Sequence, residues 1–293
     1  MSTLDRPLAG TVAIVTGASR GLGRHFAIDL AAAGADVTLV ARSAEGLAQT
    51  AALVAAHDVR CETVVGDVCD DSLAARVVAL TRERLGPVDL LVNNAGAAMP
   101  ALVAAQSIDD WWEVVAVNLR APVAWTMAVL PDMLARRSGR IVNVSSPAAL
   151  HSPLPYYTSY TASKAGLSQF TAAFAQEVAA DGIAVLAFGP AAATDMALGT
   201  YENDVLPDAM KDFFRTAFTT DPEGLLRSTM ALFAVMARGG ADHVSGSYLG
   251  APEPAFADAS TVAALPPTDP GRQVLAARAL RAPEHVMEDS HGH

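Results

Sequence analysis

The chain has 293 residues, with 20 Lys and Arg against 31 Asp and Glu, a net charge of −11 at pH 7. Its 52% hydrophobic and 17% charged content supplies a large core and excludes general disorder. The acidic balance argues against a nucleic-acid partner, and no charge-free run of eighteen apolar residues marks a membrane span.

The first residues lack the basic-then-apolar order of a signal peptide. Cys61 and Cys69 are too few for a disulfide framework or a four-ligand zinc site. A reducing, cytoplasmic compartment and no metal are therefore expected. In chain order, β-branched runs at 11–16, 36–41, 60–65, 88–92, 140–145 and 183–188 alternate with helical stretches at 21–33, 43–56, 70–84, 107–137 and 158–180. Several runs are apolar on consecutive residues, as strands covered on both faces are. Strand–helix alternation means parallel strands joined by right-handed crossovers. The expectation is an α/β fold: one doubly wound parallel sheet, helices on both faces, and a ligand crevice outside the strands' carboxyl ends. Residues 190–222 read as a loop with a short helix, then come a helix at 222–238 and a last strand near 244–249. Beyond Gly250 the prolines at 252, 254, 266, 267 and 270 break any long element. One domain over 1–250 and an extension over 251–293 are expected.

The first strand runs into Thr16-Gly17-Ala18-Ser19-Arg20-Gly21-Leu22-Gly23, followed by a helix. Glycines permit a tight turn and close backbone approach, and a helix N-terminus attracts an anion. The reading is a pyrophosphate cradle, against the simpler one of a plain strand–helix turn. Gly17 to Gly21 also matches G-x-S-x-G, which opens a rival reading: an α/β-hydrolase with Ser19 as nucleophile. The second strand ends at Ala41-Arg42-Ser43, with no carboxylate for a ribose 2′-hydroxyl and a guanidinium able to pair with a 2′-phosphate. Arg20 adds a second cation, so NADP(H) is favoured over NAD(H), unless Arg42 is simply a solvated loop residue. Asp67-Val68 follows the third strand, where a carboxylate could accept from an adenine amine. Asn93-Asn94-Ala95-Gly96 ends the fourth in a small polar turn.

Tyr160 and Lys164 stand four apart on a predicted helix and share a face. A nearby ammonium lowers a phenol's pKa from its ordinary value near 10. Tyr156 and Tyr157 lack a lysine at that spacing. A surface Tyr/Lys pair is the bland alternative. Ser145 and Ser146 close the preceding strand, where a hydroxyl can polarise a carbonyl oxygen. Asn118 lies inside the long helix and either holds a water or marks a kink.

With these residues in view, the chain resembles a classical short-chain dehydrogenase/reductase. Thr16 to Gly23 matches that family's T-G-x-x-x-G-x-G, Asn93 to Gly96 its N-N-A-G, and Tyr160 to Lys164 its Y-x-x-x-K. The resemblance covers roughly 8–250. It implies a Rossmann-like sheet of seven strands and hydride transfer between a nicotinamide and a carbonyl/alcohol pair. It implies Tyr160 as general acid, Lys164 lowering its pKa and holding the nicotinamide ribose, Ser146 on the substrate oxygen, and Asn118 in a water-linked proton relay. Gly17, Gly21, Gly23, Ser19, Arg20, Arg42, Asp67, Val68, Asn94, Gly96 and Thr194 are the implied cofactor contacts, beside Tyr160 and Lys164. The chain departs from the family at Gly189-Pro190, where the usual order is Pro-Gly, and this bears on Thr194. A catalytically silent NADP-binding regulator is the remaining alternative. His151, Leu154, Tyr156 and the 195–218 segment flank the catalytic residues and are expected to line a substrate pocket. Phe213, Phe214 and Phe218 there form either an apolar lid or the buried face of a short helix. Trp111 and Trp112 widen the apolar face of the 107–137 helix beyond one stripe. A homodimer or homotetramer acting on a small-molecule carbonyl or alcohol is expected.

Overall fold

The computed structural model describes residues 6–149, 154–192, 196, 199, 202–250 and 262. Seven strands form one parallel sheet: β1 (Val12–Thr16), β2 (Asp36–Ala41), β3 (Cys61–Val65), β4 (Leu90–Asn93), β5 (Gly139–Val144), β6 (Ile183–Gly189) and β7 (Tyr248–Gly250). Their order is β3-β2-β1-β4-β5-β6-β7. The direction of winding reverses between β1 and β4, which opens a crevice at the carboxyl ends.

Alternation along each strand divides the core between two faces. Ala13, Val15, Val92, Val142, Val144, Leu186 and Phe188 face one side. There they meet α1 (Gly21–Ala32), α2 (Ala44–Val54) and α8 (Pro222–Ala237), through Phe26, Leu47 and Phe233. Phe26 stacks on Phe233 with ring centroids 4.2 Å apart. Ile14, Leu91, Ile141 and Val185 face the other side, against α3 (Leu73–Arg84), α5 (Ala121–Arg136) and α6 (Thr158–Glu177), through Val77, Trp125 and Phe174. Each large side chain buried this way contributes roughly 1.5–3 kcal/mol. Both faces are covered, which is why the strands read as continuous apolar runs.

The expected helix over 107–137 is three pieces. α4 (Ile108–Val115) and α5 are joined by a π-helical turn, Ala116–Arg120. Pro122 accounts for the interruption: it lacks an N–H, and in a regular helix its ring would strike the carbonyl of residue 118. The whole run of 29 residues, with an eighteen-residue window of mean hydropathy 1.4, is long and apolar enough to cross a membrane by length and composition. Its Trp125, Val129 and Met133 are instead packed into the core. The last strand starts at Tyr248 rather than near 244, because Asp242–Val244 closes a 3-10 turn. The helix expected to be short in the 190–222 segment is α7 (Asp208–Thr219), three turns long. Val262, past β7, is completely buried in the core on the α1/α8 face.

Candidate active site

The glycine loop is tied to the turn after β4 by one threonine. Thr16 Oγ1 accepts from the backbone N–H groups of Asn94 (3.0 Å) and Ala95 (3.1 Å), and donates to the Val92 carbonyl (3.3 Å). Asn94 Nδ2 donates back to the Thr16 carbonyl at 2.8 Å. The space between is tight. Gly17 has φ +69°, and a Cβ there would stand 2.8 Å from Asn94 Nδ2. A Cβ on Gly23 would run into the Gly17 carbonyl oxygen. Only glycine suits these two places. α1 then starts with no side-chain cap and no acid in its first turn. Its free N–H groups and dipole therefore favour an anion, and Gly21 and Gly23 line a cavity of about 890 Å³ there.

Arg42 leaves the end of β2 with its side chain 79% exposed and its Nη1 3.9 Å from Asp67 Oδ2. Arg20, also exposed, precedes α1 in extended backbone. The Val68 carbonyl accepts from Trp125 Nε1 at 3.3 Å, which fixes the 67–68 strip against α5.

At the inner end, Ser146 and Tyr160 converge from two elements. Ser146 follows β5 and stands beside Tyr160 on α6, its hydroxyl accepting from the Ala148 N–H at 3.2 Å. Lys164, one turn further along α6, is buried; its ammonium donates to the Val144 carbonyl at 2.7 Å and lies 5.8 Å from the centre of the Tyr160 ring. Burial lowers the Lys164 pKa to about 8. Burial also raises the pKa of Tyr160, with the neighbouring Ser146 side chain pulling the other way. The expectation that Lys164 sets the phenol's pKa is thus modified. The ammonium is held over the ring by a backbone carbonyl, and desolvation governs the hydroxyl.

Asn118 sits in the π-turn and is fully buried. Its Oδ1 accepts from the Ala97 N–H (2.9 Å), and its Nδ2 donates to the Ala97 carbonyl (2.8 Å) and to Ser163 Oγ (3.1 Å). Both donors are used, and one oxygen lone pair remains. Asn118 therefore stands behind the cavity and holds the turn after β4. Gly96 is wedged in front of it: a Cβ there would lie 3.3 Å from Asn118 Oδ1 and 3.7 Å from Lys164 Nζ.

Every other expected contact among the described residues, from Gly17 to Lys164, lines this one cavity. Thr194 and His151 lie outside the described residues. Tyr157 and Leu154 line the cavity. Tyr156 does not: its backbone turns with φ +68° and its carbonyl accepts from the Ala101 N–H. Among the described lining residues there is no histidine to serve Ser19 as a hydrolase's base.

A family model for short chain dehydrogenases matches residues 11–204. The chain belongs to the short-chain dehydrogenase/reductase family. It is 35% identical over 243 residues to the 3-oxoacyl-[acyl-carrier-protein] reductase FabG of Pseudomonas aeruginosa, covering 82% of this chain and 95% of that one. It is 35% identical to a short chain dehydrogenase of Pseudocercospora fijiensis over 71% of this chain and 70% of the relative. A crystal structure of a dehydrogenase/reductase from Sinorhizobium meliloti superposes with a TM-score of 0.71 at 29% identity, covering 85% of this chain and 96% of that one. The seven-stranded parallel sheet and its flanking helices are the dehydrogenase/reductase fold.

Two features of this family member escape a reading by motif. Arg24 reaches back from α1 to Thr50 Oγ1 (3.0 Å) and the Ser19 carbonyl (2.6 Å), bracing the glycine loop. Tyr248 on β7 lines the cavity with a buried hydroxyl that has no hydrogen-bond partner among the described residues. That hydroxyl occupies the space a Cβ on Gly189 would need. Desolvation raises its pKa, and the nearby Tyr160 adds to the rise. The glycine before Pro190 was the available signal: it marks a close approach rather than only a departure from the family's order.

Proposed function

We propose that the protein is an NADP(H)-dependent oxidoreductase that interconverts a ketone and an alcohol. The observation that carries this reading is the convergence of Ser146 and Tyr160, backed by the buried Lys164, in the cavity that begins at the glycine loop. The residues present fit a dinucleotide. The uncapped start of α1 and the glycines suit a pyrophosphate, Asp67 and Val68 suit an adenine, and Asn94 and Gly96 border the path to Lys164. Arg20 and Arg42 suit a 2′-phosphate, and no acid ends β2. When bound, the nicotinamide supplies or accepts the hydride.

The chain's own residues handle the proton and the oxygen. Ser146 and Tyr160 both donate to the substrate carbonyl oxygen. Tyr160, kept neutral by burial, gives its proton to that oxygen. Lys164 presents its ammonium to the nicotinamide ribose and steadies the phenolate that is left. Asn118 acts as a positioning residue, with one lone pair of Oδ1 free for a water in the relay. Thr194 completes the cofactor contacts in this proposal.

A homodimer or homotetramer is part of the same reading. Ile108, Trp112 and Met127 on α4 and α5 are 67%, 56% and 67% exposed. That is a large apolar surface for one helical run to leave in water. The free cysteines are consistent with a cytoplasmic site of action. We further propose 1–250 as the folding unit, with the extension anchored at Val262. The deciding experiment is a screen of carbonyl compounds with NADPH and with NADH, followed by cofactor absorbance. Turnover preferring NADPH supports the reading. Tight NADPH binding with no turnover on any ketone favours the silent regulator. Light scattering that finds a single chain of 30.3 kDa at micromolar concentration contradicts the oligomer.

A further inference from the structure

We infer that the substrate is an uncharged, ring-bearing apolar ketone, free in solution rather than carried on an anionic handle; this rests on the ketone reduction proposed above. Two independent observations lead there, one of shape and one of charge.

The shape is set by aromatic rings that continue from the reacting hydroxyls. Tyr157 meets Tyr160 edge to face, with centroids 6.3 Å apart. Tyr157 meets Phe214 the same way at 6.2 Å. Phe214 and Phe218, one turn apart on α7, lie parallel within 2° at 6.2 Å. Phe213 closes against Phe214 at 5.5 Å. Phe213, Phe214 and Phe218 all line the cavity, with Leu154 and Tyr157. Phe214 is buried by Leu206 and Met210, while Phe213 and Phe218 are only half-buried. α7 therefore does both things the sequence left open. One stripe packs inward, and the rest presents flat apolar surface to the cavity. Flat apolar walls reward a flat apolar ligand, with the two hydroxyls fixing its carbonyl.

The charge pattern disfavours an anionic carrier. The cations among the described lining residues are Arg20, Arg24, Arg42 and Lys164. These stand on the glycine loop, the first turn of α1, the end of β2 and the catalytic helix; none stands on α7 or in 154–157. Around the mouth, residues 202–227 hold six acids and three bases. Each of those bases is already paired with an acid of its own helix: Lys211 with Asp208, Arg215 with Asp212, and Arg227 with Glu223. A phosphate-bearing carrier approaching this end meets net negative charge and no unpaired cation in 202–227 to hold it.

The test is binding to the full chain loaded with NADP⁺, so that no turnover is needed. The neutral bicyclic ketone 2-tetralone is compared with acetoacetyl-coenzyme A by calorimetry. 2-Tetralone should bind at least ten-fold more tightly. Phe218→Ala and Phe213→Ser, both at half-buried positions, should each weaken it about five-fold with NADP⁺ affinity unchanged. Equal or tighter binding of acetoacetyl-coenzyme A overturns the inference. So does 2-tetralone binding that neither phenylalanine variant alters. Failure of the underlying reading looks different: 2-tetralone binds at this end, yet NADPH reduces neither compound.

Discussion

The two ends of the cavity are built on different principles. The cofactor end is made of backbone: strand termini, a helix start, and turns so close that a Cβ at Gly17 or Gly23 would collide with its neighbours. The substrate end is made of side chains on one amphipathic helix, α7, and on the segment before α6. Where backbone sets the geometry, residue identity is forced and reads directly from the sequence. Where side chains set it, many residues would serve, and only their arrangement carries the information.

The comparison is broken most severely at the junction of the two ends. Tyr160→Phe removes one hydroxyl, and turnover should fall by about 10²–10⁴-fold, the usual scale for losing a general acid. NADPH affinity should stay within two-fold in a fluorescence titration. Gly23→Ala comes next. The added methyl meets the Gly17 carbonyl, so NADPH binding should be lost and thermal denaturation should report a cost of roughly 1–3 kcal/mol from overpacking. An alanine that binds NADPH normally would mean that the cofactor end is not sterically set. Arg42→Ala sharpens the cofactor assignment. It should weaken NADPH by about 1–3 kcal/mol, the scale of a charge-assisted contact, and leave NADH unchanged. Equal losses for both cofactors would remove Arg42 from the 2′-phosphate.

The far edge of the fold gives a comparable but purely structural effect. Ending the chain after Pro252 removes Val262 from the core and should cost about 1.5–3 kcal/mol in chemical denaturation. Ending it after Ala264 should not.

A further effect is one of pH. Lys164 in the folded chain loses its proton near pH 8, whereas an unfolded lysine holds it to about 10.4. Between those values the unfolded chain binds more protons, so the ligand-free protein should gain stability as pH rises from about 8 to 10. NADPH affinity should move the opposite way over the start of that range, as the ammonium is lost. Lys164→Met should flatten the contribution to both curves.

The sequence made the sheet legible because both its faces are covered, so its strands announce themselves as unbroken apolar runs. The glycine loop, Asn94 and Gly96 were legible for the backbone reason above, Tyr160 and Lys164 because their four-residue spacing puts them on one helix face, and Ser146 because it closes a strand at the sheet's carboxyl end. Asn118 was visible as an anomaly within a helix, but its bonds to Ala97 and Ser163 were not. Those partners are 21 and 45 residues away, and a π-turn forced by Pro122 brings them together. Tyr248 was hidden for the same reason: its neighbour Gly189 belongs to another strand, 59 positions earlier. Spacing gives the proximity of Lys164 to Tyr160, but not the burial that raises the phenol's pKa, nor the Val144 carbonyl that holds the ammonium.

The central claim is that this cavity moves a hydride from a nicotinamide to a ketone while Tyr160 supplies the proton. It is tested most directly by isotope. The full chain is incubated with 2-tetralone and NADPH carrying two deuterons at C4 of the nicotinamide, and the product is examined by mass spectrometry and NMR. The account predicts an alcohol with one deuteron on its carbinol carbon, formed by the wild type and at least a hundred-fold more slowly by Tyr160→Phe. Recovery of unchanged ketone from wild-type protein saturated with both compounds, or a labelled alcohol formed equally fast by Tyr160→Phe, would contradict it.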